Sequence, residues 1–142
     1  TTTTTTTTTT TPTTPTPQGC EDGWTPFARN QKCYKWFSEM LTWDGAKDEC
    51  SSTFSSILVS IPDEETNNFL VTLSEQRSWT GGRRVELDPD SWEWLDGTAF
   101  SFTKWHGDQP DYGGNLENRI EINFNEKGFW NDNVQAFSNS IF

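Results

Sequence analysis

Thr1 to Thr11 form an unbroken threonine run, succeeded at once by Pro12, Pro15 and Pro17. A segment of this kind has no apolar surface to bury, so nothing offsets the entropy of ordering it. Folding is therefore expected to begin only at Gly19-Cys20. Hydroxyls interspersed with proline read as an O-glycosylated, mucin-like stalk. Unmodified, residues 1–19 would be a flexible linker. Either way they act as a spacer, reaching on the order of 60 Å if extended like polyproline at about 3.1 Å per residue.

Residues 20–142 have the length of one ordinary domain and hold all eight Trp and ten Phe of the chain. Those rings can build a small tight core despite a mean hydropathy of −0.78. Twenty-one Asp and Glu against ten Lys and Arg give a formal charge of −11. That excess speaks against nucleic acid, whose phosphates need a basic face, and against insertion into or binding at an anionic membrane. Carboxylates in excess do suit a hard cation, although they also make an ordinary acidic surface. No apolar run approaches the roughly 20 residues that span a bilayer. The chain begins without a Met or signal peptide, so it is expected to be part of a longer extracellular product, secreted or an ectodomain.

Local patterns predict a strand over Cys33-Tyr34-Lys35-Trp36-Phe37 and a helix capped by Thr42. Trp43, Ala46 and Cys50 recur at helical spacing on its inner face. Ile57 to Ile61 reads as a short strand. Asp63 is expected to cap a second helix, with Glu64 and Glu65 in its first turn and Phe69, Leu70 and Leu73 inward. From Ser78 onward, short alternating runs such as Arg119 to Phe124 replace helical spacing. Two helices ahead of many short strands predict an α+β fold. The polar stretch from Gly107 to Asn118 is long for a purely structural connection.

That stretch holds Gln109-Pro110-Asp111 and Glu117, and Asn131-Asp132 come after it. Together they offer carboxylate and amide oxygens, with no thiol or imidazole. Calcium takes six to eight oxygen ligands in a tolerant geometry, and this set supplies most of them. Zinc or copper would call for Cys or His, and the lone His106 cannot serve alone. A cis peptide before Pro110 would turn Gln109 and Asp111 to one side.

Gln109-Pro110-Asp111, Glu117 and Trp130-Asn131-Asp132, in this order, resemble the calcium-site motifs of the C-type lectin family. Trp79-Thr80-Gly81-Gly82 resembles the family's core strand, and Trp92, Trp94, Asp96-Gly97 and Trp105 its tryptophan-rich hairpin. The resemblance extends from Cys20 to Phe142. It implies two helices packed on small antiparallel sheets, with a long calcium-binding loop. It also implies one calcium held by Gln109, Asp111, Glu117, Asn131 and Asp132, and a sugar whose vicinal hydroxyls contact Gln109, Asp111, Glu117 and Asn131. The Gln-Pro-Asp order implies galactose or N-acetylgalactosamine; Glu-Pro-Asn would imply mannose. Tyr112 comes directly after Asp111, closer than the family's usual stacking aromatic. It is either a sugar partner or an exposed loop residue. Some members hold a second calcium using an Asp where Tyr112 stands. Glu86, Asp88 and Asp90 match no ligand pattern, so one ion is expected.

Cys20 and Cys33 resemble the extra amino-terminal pair of the family's longer form, a closure worth about 3 kcal/mol in the chain-entropy model. Cys50 would pair with the family's last cysteine, expected just past Phe142, so the domain over 20–142 is expected to stop short of it. An intermolecular disulfide is the alternative. The family's other cysteine pair is replaced by Arg119 and Gln135, which are expected to lie close together. Losing that staple implies a looser site, with calcium affinity toward the 10⁻³ M end expected of extracellular modules.

The leading expectation is calcium-dependent binding of glycans. The alternative is a lectin-like domain that binds a protein partner without sugar, although such relatives usually lose several of the five ligands. An enzyme is not expected, because one His without a neighbouring nucleophile assembles no catalytic set. A single monosaccharide would bind at about 1 mM. Useful avidity would need clustering, and no coiled-coil heptads supply it.

Overall fold

The computed structural model describes residues 19–85 and 90–142. The Thr/Pro stretch to residue 18 and the acidic Glu86 and Asp88 lie outside them. Two compact units divide at Tyr34 and Lys35.

The first unit is a hairpin of β1 (Thr25–Phe27) and β2 (Lys32–Tyr34), paired antiparallel with Pro26 opposite Cys33. A Cys20–Cys33 disulfide closes it, with Cα atoms 5.7 Å apart. This is the pairing that the resemblance implied.

The second unit contains β3 (Phe37–Leu41), α1 (Trp43–Phe54), α2 (Glu64–Leu73), β4 (Ser78–Arg84) and β5 (Trp92–Trp94). After the long loop come β6 (Arg119–Ile122), β7 (Trp130–Asn133) and β8 (Asn139–Ile141). The strands run β3-β8-β4-β6-β7, with β5 also on β4. All pairings are antiparallel except β4 with β8. This is the α+β arrangement that the sequence predicts. The strand expected over Cys33 to Phe37 is instead broken between β2 and β3. Trp36 turns its indole N–H toward the Ser78 and Ser140 hydroxyls, at 3.1 and 3.3 Å, and leaves the ladder.

Helix α1 starts where expected: the Thr42 hydroxyl accepts from the Gly45 N–H at 3.2 Å, a cap worth about 1 kcal/mol. Trp43, Ala46 and Cys50 are buried against Leu58, Trp79 and Ile141. Burial pushes the Cys50 thiol pKa up. Asp63 caps α2 by accepting from the Thr66 N–H at 2.8 Å. The buried face of α2, however, is Thr66, Asn67 and Leu70, with Phe69 and Leu73 only half-buried. Asn67 is drawn inward because its amide serves two buried groups. It donates to the Gly128 carbonyl at 3.0 Å and accepts from the Trp130 indole at 2.8 Å.

Central strand β4 contacts β5, β6 and β8, so almost nothing on it reaches solvent. Its glycines answer close approach. A Cβ on Gly81 would lie 2.7 Å from the Leu58 carbonyl, and one on Gly82 would lie 2.5 Å from the Ile120 side chain. The expected strand at Ile57 to Ile61 is largely buried but joins no ladder. Single backbone bonds tie it down, Gly81 N–H to the Val59 carbonyl and Val59 N–H to the Phe142 carbonyl. Under the long loop, Trp92, Trp94, Trp105 and Trp130 pack at centroid separations of 5.2 to 5.7 Å.

Candidate functional site

Both ends of the loop 107–118 are fastened to strands. At its start, Trp105 bridges Trp130, and the His106 N–H donates to the Trp130 carbonyl at 2.9 Å. At its end, the Asn118 N–H donates to the Asn133 carbonyl at 3.1 Å, and the Arg84 N–H to the Asn118 carbonyl at 3.0 Å. The loop is thus long but anchored, and its middle is free to present side chains.

The Gln109–Pro110 bond is cis, and the Gln109 amide lies 3.3 Å from an Asp111 carboxylate oxygen. The chain then turns through left-handed backbone at Tyr112, Gly114 and Asn115. Asp132, fully buried on β7, fixes that turn. Its two oxygens accept from the Asp111 N–H at 3.1 Å and the Tyr112 N–H at 2.9 Å. Asp111 caps the next turn by accepting from the Gly113 N–H at 3.2 Å. Gly113 lacks a side chain for a steric reason. A Cβ there would sit 2.5 Å from the Glu117 carboxyl carbon.

Carboxylate oxygens of Asp111, Glu117 and Asp132 all lie within 4.8 Å of one another. Crowding has the electrostatic consequences expected of it. Burial, the Asp111 hydrogen bond and the neighbouring negative charges push the Glu117 pKa up to about 7. The Gly113 N–H and the Glu117 carboxyl hold Asp111 low instead. Without a cation, Glu117 holds a proton below about pH 7, on the side of its hydrogen bond to Asp111. Burial also pushes Asp132 up, against the pull of its N–H donors. The remaining candidates are Gln109 and Asn131. Gln109 Oε1 is buried without a hydrogen-bond partner, while the nitrogen of the same amide faces Asp111. Asn131 is 6% exposed, and its amide nitrogen donates to Glu121 at 2.8 Å. Three crowded carboxylates, with an open buried amide acceptor two residues before Asp111, are the kind of donors a hard divalent cation takes up.

Tyr112 is half-buried, with the Arg84 guanidinium 5.4 Å from its ring centroid and its hydroxyl 3.4 Å from Asp90. Arg84, 6% exposed, also donates to the Asn115 carbonyl at 3.0 Å. It is a basic residue beneath an acidic loop, and no local motif in the sequence marks it. Nor does any motif mark Glu121, which is fully buried next to the end of β6. A lone carboxylate between Ile120 and Ile122 gives no sign of its partners. His106 packs edge-on to Phe124 and Phe129 and takes no part in the carboxylate group.

The sequence profile of the Lectin C-type domain matches residues 39–140. The chain belongs to the C-type lectin domain family. Among its relatives, the secretory phospholipase A2 receptor of Bos taurus is 38% identical over 95 residues, covering 64% of this chain and 6% of the receptor. The chain therefore spans a small fraction of that protein's length. C-type isolectin Sp-CL4 of Scorpaena plumieri is 33% identical over 121 residues, 81% of each chain. A solved Ca2+-dependent type II antifreeze protein, in its Ca2+-free form, superposes with a TM-score of 0.78 at 29% identity, covering 86% of this chain and 96% of that one. C-type lectin domains are binding modules rather than enzymes. A receptor, a lectin and an antifreeze protein share this fold, so the loop residues have to decide the ligand.

Proposed function

We propose that this C-type lectin domain binds one calcium ion and, at the same site, a glycan of the galactose or N-acetylgalactosamine type. The observation that carries the reading is the loop's oxygen set. Asp111, Glu117 and Asp132 crowd within 4.8 Å, and the oxygen of Gln109, two residues before Asp111, is buried without a partner. Gln109, Asp111, Glu117, Asn131 and Asp132 would hold the ion. When bound, calcium would supply open coordination positions for two vicinal sugar hydroxyls.

The protein's own part is donor and acceptor placement. The amides of Gln109 and Asn131 can give N–H bonds to the hydroxyls, while Asp111 and Glu117, ionised, can only accept. The amide-then-acid order at Gln109 and Asp111 selects the galactose-type arrangement. Tyr112 has Arg84 on its ring, which holds the aromatic in place and leaves its other side for a sugar's apolar face. One monosaccharide held this way binds at about 1 mM, so function requires clustering of domains or ligands. An extracellular setting is consistent with the Cys20–Cys33 disulfide and the calcium requirement, with residues 1–19 serving as a glycosylated spacer.

The test is a glycan array probed with calcium and with excess chelator. Chelator-sensitive binding to galactose-type glycans supports the whole reading. Calcium-dependent mannose binding keeps the ion site and removes the sugar assignment. A folded domain that binds no glycan in either buffer would favour a protein partner instead.

A further inference from the structure

We propose that Glu121 is a positioning residue that sets which way the Asn131 amide faces, and thereby whether the site has an oxygen or a nitrogen to offer the ion; this rests on the calcium reading above. Glu121 and Asn131 are directly opposite in the β6–β7 ladder. Glu121 Oε1 accepts from Asn131 Nδ2 at 2.8 Å. Glu121 Oε2 faces the other way, accepting from Asn133 Nδ2 at 3.2 Å and from Asn139 Nδ2. The Arg77 Nε lies 3.7 Å from Oε1. The carboxylate itself is 0% exposed, so no water competes for these bonds.

An asparagine amide is nearly symmetric in shape, and a half-turn exchanges its oxygen and nitrogen. What chooses between the two faces is the neighbour. The Glu121 oxygens accept from the amide nitrogens of Asn131, Asn133 and Asn139 alike, so Asn131 meets this carboxylate with its nitrogen. Its oxygen is then turned away from Glu121 and kept for a cation, and the second N–H of the same nitrogen remains for a sugar hydroxyl. The division of labour between the two Glu121 oxygens makes this separable from a purely structural role. Oε2 serves β7 and β8 through Asn133 and Asn139, and Oε1 serves Asn131.

Glu121→Gln exploits that division. Asn133 and Asn139, both hydrogen-bonded, hold the new amide's oxygen on their side, whereas Arg77 Nε stays 3.7 Å from the other, so the new –NH2 faces the Asn131 –NH2. Donor against donor is relieved by a half-turn of Asn131, and the site then presents nitrogen where it had oxygen. Combining Glu121→Gln with Asn131→Asp reverses the bond: the Gln donates, one Asp oxygen accepts, and the other is again available to a cation.

The experiment compares the whole chain and these variants by thermal unfolding in chelator and in millimolar calcium. In parallel, NMR in chelator reads the coupling across the hydrogen bond from Asn131 Nδ2 to the Glu121 carboxyl carbon. The expected result is a calcium-dependent rise in midpoint for the parent chain and loss of that rise in Glu121→Gln, with the fold kept in chelator. The rise should return in the double variant. A Glu121→Gln protein with the parent's calcium response overturns the proposal, and so does a double variant that stays unresponsive. If Glu121→Gln does not fold, the double variant decides alone. If the parent itself ignores calcium, the ion reading fails. The NMR coupling then decides the orientation by itself, and its absence in the parent overturns it.

Discussion

Arg119 Nη2 donates to the Gln135 side-chain oxygen at 2.9 Å, joining the start of β6 to the turn after β7. The same guanidinium lies 4.2 Å over the Trp43 ring and gives a second bond, at 2.9 Å, to the Asn118 carbonyl. Trp43 closes the group, since its backbone N–H donates to the Gln135 carbonyl at 3.0 Å. The family resemblance places a disulfide at these two positions. Here a stacked, hydrogen-bonded arginine ties the end of the long loop to the start of α1.

Arg119→Ala should therefore destabilise the domain by roughly 2 to 4 kcal/mol, from two charged hydrogen bonds and one cation–π contact. Gln135→Ala, which leaves the stacking and the Asn118 bond in place, should cost about 1 kcal/mol. Urea unfolding of the two variants checks this. Equal costs, or none for Arg119→Ala, would mean the clamp does not bear on stability.

Glu117 gives a pH dependence whose sign can be worked out for the ion-free protein. Its pKa rises from 4.5 to about 7 on folding, so the folded state binds the extra proton between those values. Stability in chelator should then fall as pH rises from about 5 to about 7, and flatten above. Calcium must displace that proton, so its apparent affinity should weaken by up to tenfold per pH unit below about 7. Glu117→Gln should flatten the part of the slope nearest pH 7, leaving what Asp132, also raised by burial, contributes. Thermal midpoints between pH 5 and 8, with and without calcium, decide it; a pH-independent calcium affinity would contradict a proton held on Glu117.

Gly113→Ala tests the loop's packing alone. The backbone there needs no left-handed torsion, yet a Cβ would meet the Glu117 carboxyl at 2.5 Å. Because Gly113 is exposed, the domain should fold normally, while Glu117 is pushed off its neighbours and the calcium-induced rise in midpoint shrinks or vanishes. An unchanged calcium response would show that Glu117 has room to move without leaving the site.

Features written in local sequence are legible from the sequence alone. Thr42 and Asp63 announce caps because a cap is made by residues three apart, and Gln109 to Asp111 form a loop unit on their own. Pairings between strands are not legible in this way. Glu121 looks like one polar residue in an apolar strand, and its meaning appears only when Asn131, Asn133 and Asn139 arrive from β7 and β8. Asn67 reads as a surface residue of α2 until Gly128 and Trp130, distant in sequence, are brought beside it. The same cause rotates the inner face of α2 away from Phe69 and Leu73. Arg119 and Gln135 are the exception, readable at a distance because the family resemblance pairs their positions.

Exchanging acid and amide at Gln109 and Asp111 is the sharpest test of the sugar assignment. In the present order the amide lies at 109 and the carboxylate at 111, 3.3 Å apart. Gln109→Glu with Asp111→Asn keeps both shapes and the total charge, so the ion should still bind. It reverses which position donates and which accepts toward the sugar hydroxyls. The amide introduced at position 111 retains an oxygen to accept from the Gly113 N–H, so the loop turn should survive the change. The expected outcome is a calcium-dependent shift of glycan-array signal from galactose-type to mannose-type ligands. Each missed hydroxyl pairing should cost roughly 1 to 3 kcal/mol, about a fivefold preference or more. If the double variant bound calcium but kept the parent's sugar preference, selectivity would have to come from outside this pair, with Tyr112 the first residue to replace.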